Sequence, residues 1–164
     1  MSVSHRVGSD HQLARLLQIG IVLEEVVEAR AYHHYRSLDA ETTLDPEIES
    51  LLSDAAAESA AHRERLEALI DDLDAESVPF EEIETLVEAQ YGRTKPDDFD
   101  GVLYDQLCNE ETAYKFYDDL VSAIEDSDAR FAVERDRLLD VLRSIRDDEA
   151  AGVEEVTTVM ETRD

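Results

Sequence analysis

The sequence predicts an all-α fold, a four-helix bundle built from two helical hairpins with a long crossover between helices two and three. Three observations predict it. Apolar residues recur at three- and four-residue spacing along four long stretches, the period of a helix with one buried face. Pro46, Pro79, Pro96 and the turn-rich stretch GRTKPDDFDG divide those stretches from one another. The 164 residues include only five Gly, three Pro and no Trp, with charged residues mixed into the apolar stripes, which favours helices over a β-sandwich or a disordered chain. The length suits a single domain, residues 9–164, after an N-terminal tail of residues 1–8.

The first helix begins at Ser9, which forms a capping box with Gln12, and runs to about Leu38. Asp45 and Pro46 supply an N-cap and a first-turn proline for the second, which reaches about Leu73. Residues 74–101 form the crossover, with a short helix over about 79–91 and the turn-rich stretch GRTKPDDFDG. The third helix spans Gly101 to Asp126, and Ser127 caps a fourth that ends near Met160.

The net charge of −27 disfavours nucleic acid and anionic membranes as partners, and with them nucleic-acid compaction as a function. Two Lys against thirteen Arg and forty-two acids resembles the proteins of extreme halophiles, so most Asp and Glu are expected to be solvated surface. The N-terminal residues MSVSHRVGSDHQ have no apolar signal core, and no run approaches the ~20 apolar residues of a membrane span; a cytoplasmic location is expected. The one cysteine, Cys108, excludes an internal disulfide and a CxxC metal module, and is expected to be a small buried residue.

Each long helix carries one polar residue where its stripe calls for an apolar one. Glu28 follows Leu17 and Ile21 and precedes Ala31 and Tyr35. His62 lies between Leu51 and Ala55 on one side and Leu66 and Leu69 on the other. Glu110 lies between Leu103 and Leu107, then Ala113 and Tyr117. Glu149 lies between Leu142 and Ile145, then Val153 and Val156. A single core-face His is more often a hydrogen-bonded structural residue, and a single stripe Glu often pairs with an arginine such as Arg30. Three carboxylates and an imidazole, one per helix, call for joint compensation, because a buried unpartnered carboxylate costs several kcal/mol. Protons, arginines or a bound cation could supply it. A di- or trivalent metal answers all four groups at once.

The hairpins also look like copies. An offset of 82 carries Glu28 to Glu110, Ala31 to Ala113, Tyr32 to Tyr114 and Tyr35 to Tyr117; an offset of 90 carries Ser59 to Glu149 and His62 to Gly152. The pattern Glu-x-x-Ala-x-x-x-Tyr on helices one and three resembles the ferritin-like superfamily, in particular its rubrerythrin and bacterioferritin branches, over nearly the whole chain. In that family each hairpin gives one Glu from its first helix and a Glu-x-x-His pair from its second, and the six side chains hold two iron ions.

The resemblance implies Glu28 and Glu110 as terminal carboxylates, Glu149 as a bridging carboxylate and His62 as an imidazole ligand. Ser59 and Gly152 depart from the pattern, standing where the family has a second Glu and a second His. Glu58, four residues before His62, could substitute in part, with Asp148 a weaker reserve. His33 and His34 read as structural or surface residues, and Tyr32 and Tyr35 as donors to carboxylates or as core packing.

The implied function is metal binding, of one or two iron ions or another divalent metal, with iron or peroxide redox activity and homo-oligomerisation. The alternative is a degenerate bundle without metal, acting as a structural or interaction module. Metal content separates the two.

Overall fold

The computed structural model describes residues 7–37, 46–75 and 99–162. Four helices account for nearly all of them: α1 (Asp10–Ser37), α2 (Pro46–Asp71), α3 (Phe99–Glu125) and α4 (Arg135–Thr162). Among the described residues there is no strand, and no helix is long and apolar enough to cross a membrane.

The helix ends follow from local chemistry. The Ser9 hydroxyl accepts the Gln12 N–H at 3.2 Å, and the Gln12 side-chain oxygen accepts the Gly8 N–H at 2.7 Å, so the capping pair works in both directions. Pro46 takes the first position of α2, where its missing N–H costs nothing. The last carbonyls of α3 are capped in part by the guanidinium of Arg135, which donates to Ile124 O and, at 3.0 Å, to Glu125 O.

Ser127 does not cap the fourth helix. That helix starts eight residues later, at Arg135, with the Glu134 carbonyl accepting the Leu138 N–H at 3.0 Å. The Ser127 hydroxyl instead accepts the Ala129 N–H and donates to Val7 O at 2.7 Å. This anchors Val7, which the sequence suggested was tail, in the core. The expected short helix over 79–91, Asp45 and Leu38 lie outside the described residues.

Cross-helix contacts give the topology. Asp10 reaches Asp74 and Glu24 reaches His62, so α1 and α2 are antiparallel. Arg146 meets Asp118 while Gly152 faces Glu110, so α3 and α4 are antiparallel. Ser127 meets Val7 and Tyr117 meets Glu24, which makes α1 and α3 antiparallel as well. Arg65 meets Ser144 and Arg137 meets Asp72, doing the same for α2 and α4. Hence α2 and α3 run in one direction. The end of α2 and the start of α3 lie at opposite ends of the bundle, with residues 72–98 between them in sequence.

Among the described residues, two apolar layers lie inside the bundle, and a small cluster of Val22 and Leu23 packs beside them. The larger contains Leu13, Leu17, Ile21, Leu66, Tyr117, Leu138 and Leu142 from all four helices. The smaller contains Ile48, Leu52, Leu103 and Val156. Along α2, α3 and α4 a buried polar layer falls between them: His62, Glu110 and Glu149, joined from α1 by Glu24. Cys108, expected in the core, is exposed.

Candidate metal centre

His62 organises the polar layer. Its ring projects from the middle of α2 and is buried, with a carboxylate at each nitrogen. Nδ1 lies 3.1 Å from Glu24 Oε1 and 3.2 Å from Glu149 Oε1. Nε2 lies 2.9 Å from Asp148 Oδ2 and 3.8 Å from Glu58 Oε1. Two potential ligand triads therefore share one imidazole. Glu24, His62 and Glu149 form the buried one, and Glu58, His62 and Asp148 the partly exposed one; within each, ligand atoms lie within 4.8 Å of one another.

Glu110 completes the buried set. Its Oε1 accepts the Gln106 amide at 2.9 Å, and its carboxyl group hydrogen-bonds with that of Glu149. Tyr117, fully buried two turns further along α3 in the larger apolar layer, donates its hydroxyl to Glu24 Oε1 at 2.8 Å. The other Glu24 oxygen, Oε2, is buried and has no hydrogen-bond donor. A carboxylate oxygen in that state is costly unless a proton or a cation meets it.

The electrostatics show the strain of gathering these acids. Burial pushes Glu149 far above the usual carboxylate range, reinforced by its hydrogen bond to Glu110 and the charge of Glu24. Burial raises Glu110 too, with the bonds to Glu149 and Gln106 opposing. Burial alone would lower His62, but the hydrogen bond to Glu24 and the neighbouring acids outweigh it and push the imidazole up to about 9. Burial lifts Glu58 to about 7 against the pull of His62. Tyr117 is raised by burial and by Glu24. Without a cation, the layer is held by protons.

Of the sequence-derived candidates, the structure brings His62, Glu110 and Glu149 together and sets Glu58 at the edge. It does not bring in Glu28. That side chain sits one turn along α1, 21% exposed against 0% for Glu24, in an ion pair with Arg63 at 2.8 Å. The arginine is on α2, not the anticipated Arg30. Glu24 takes the place expected for Glu28, and the reason is helix stagger. Glu24 lies 15 residues before Asp39 and His62 17 after Asp45, so the two are level across the hairpin; Glu28, at 11, is not. That count was the available signal, and the match of Glu28, Ala31 and Tyr35 to the second hairpin concealed it.

The internal repeat shifts accordingly. Glu24 meets His62 across the first hairpin as Glu110 meets Gly152 across the second, so the geometric offsets are 86 and 90. Asp148, rated below Glu58 from its position on the helical wheel, makes the closer contact, because α4 presents it to the edge of the His62 ring. Ser59 is buried one turn before His62. The side chains of Tyr32, His33, His34 and Tyr35 lie outside the described residues.

No protein-family model, no curated protein and no solved structure matches this chain.

Proposed function

We propose that this protein is a ferritin-like metal-binding bundle that holds a divalent cation, iron foremost, in its buried polar layer. The observation that carries this reading is the donor set. Glu24, with one buried oxygen lacking any donor, converges with Glu149 on Nδ1 of His62. Hard carboxylates with one imidazole suit iron, manganese or zinc better than soft-ligand metals. The pair of antiparallel hairpins with α2 parallel to α3 also supports the ferritin-like reading, since that arrangement requires one long crossover.

Glu24, His62, Glu149 and Glu110 would hold the ion. A bound iron would supply one-electron chemistry towards oxygen or peroxide. The remaining residues prepare the site. Asp148 accepts from Nε2 and thereby leaves Nδ1 for the buried side, the usual way a partner fixes the tautomer of a ligating histidine. Tyr117 and Gln106 orient Glu24 and Glu110 through single hydrogen bonds. The two apolar layers exclude water from either end. Loading requires His62 to give up its Nδ1 proton and Glu149 to ionise, so affinity rises with pH.

The second reading is a metal-free interaction module whose acids are held by shared protons, favoured by the hydrogen-bonded carboxyl groups of Glu110 and Glu149. Elemental analysis of protein purified from iron-replete cells separates the two. Iron retained by wild type and lost in His62→Ala supports the first. Metal-free wild type that also fails to load Fe(II) supports the second.

A further inference from the structure

We infer that Gly152 is a positioning residue: its missing side chain opens a recess that the Glu110 carboxylate fills, and this limits the polar layer to one imidazole and one cation. Gly152 is buried in the interior of α4, where glycine is unfavourable for a helix. It has no positive φ that would demand glycine. Space is the remaining reason. A Cβ at this position would lie 2.8 Å from Glu110 Oε2, 2.9 Å from its Cδ and 3.1 Å from Oε1. All three atoms of the carboxylate rest against the bare backbone.

The place is specific. Position 152 faces Glu110 as His62 faces Glu24 in the other hairpin, so the recess lies where a second imidazole would project under the internal two-fold relation. The carboxylate is fixed there from the other side by the Gln106 amide at 2.9 Å and by Glu149. A ring and this carboxylate cannot share the volume. The layer therefore gathers five carboxylates, Glu24, Glu58, Glu110, Asp148 and Glu149, around one imidazole, rather than forming two matched halves. The recess follows from packing alone; the one-cation consequence rests on the metal-binding reading above.

The test is a double-variant cycle on the metal-free chain, followed by loading with Co(II) alone. Alanine is the better helix former, so Gly152→Ala should raise the melting temperature if the glycine has no spatial role. With the recess occupied, Gly152→Ala should lower it, and Glu110→Asp, which withdraws the carboxylate by one methylene, should recover it in the double variant. If Gly152→Ala alone does not fold, the recovery in Gly152→Ala/Glu110→Asp decides the matter. A higher melting temperature for Gly152→Ala, or no recovery by Glu110→Asp, would overturn the recess. In the second arm, Co(II) absorbance should titrate to one ion per wild-type chain, and Gly152→Ala should weaken binding by about 10-fold, the scale of a lost positioning contact. Two ions per wild-type chain would overturn the one-cation limit. No Co(II) binding to wild type would remove the metal reading and the limit with it, while the melting cycle would still decide the recess.

Discussion

Glu24 Oε1 lies 3.1 Å from His62 Nδ1, and neither side chain is reached by solvent to any useful extent. One acid and one imidazole from a single hairpin thus set the centre of the polar layer. Glu28, one turn away, belongs to a different interaction, the ion pair with Arg63. The two acids make opposite predictions. Glu24→Gln should weaken divalent-metal binding by at least about 10-fold, since it removes a charged ligand and leaves a buried amide. Glu28→Gln should leave affinity nearly unchanged and cost at most ~1 kcal/mol, as expected of a partly exposed pair. Parallel calorimetric titrations of the two variants check this.

The pH dependence of the metal-free fold should run against ordinary acid denaturation. The imidazole of His62 is raised from 6.5 to about 9 in the folded chain. Its proton therefore favours folding, fully below about pH 6.5, and that contribution is lost as pH rises through about 9. The shift corresponds to roughly 3 kcal/mol at most. Glu58 moves the same way over a lower range, from 4.5 to about 7, weakened by its exposure. Thermal melts of the metal-free chain should fall steadily from mildly acidic to alkaline pH. Saturating metal should flatten the decline, because the cation replaces the protons.

Tyr117→Phe should destabilise the metal-free chain by about 1–3 kcal/mol. The hydroxyl is fully buried and donates at 2.8 Å to Glu24 Oε1, so its removal deprives a buried carboxylate oxygen of a donor. Denaturant unfolding in molar salt measures the loss, and a change below ~0.5 kcal/mol would show that the bond adds little to the fold.

Asp10 ties three segments together. Its carboxylate accepts the Asp74 N–H at 2.9 Å and the Ala132 N–H at 3.2 Å, joining the start of α1 to the connections after α2 and before α4. Asp10→Asn should cost about 1 kcal/mol, in line with charged hydrogen bonds near the surface. Hydrogen exchange should quicken at Asp74 and Ala132 ahead of the helix interiors.

The helices were legible in the sequence because their signals are local. Ser9 with Gln12 and Pro46 mark two starts within a residue of where the structure places them. His62, Glu110 and Glu149 were legible as polar residues set in apolar stripes. Glu24 was not, because α1 carries two acids one turn apart, and the choice between them depends on the partner helix: His62 meets one and Arg63 the other. The start of α4 was missed for a similar reason. Ser127 has the chemistry of a cap, but its hydroxyl is committed to Val7 on a distant segment. The recess at Gly152 depends on how closely α3 and α4 approach, a distance that no spacing along the chain encodes.

The most direct test is an anaerobic Fe(II) titration of the metal-free chain at mildly alkaline pH in molar salt, followed by calorimetry in two buffers of different ionisation heat. The expected result is saturable binding of one ion per chain with release of protons, retained in Glu28→Gln and lost in Glu24→Gln and His62→Ala. Binding that is undiminished in Glu24→Gln, or no saturable binding by the wild-type chain, would contradict a metal centre built on Glu24 and His62.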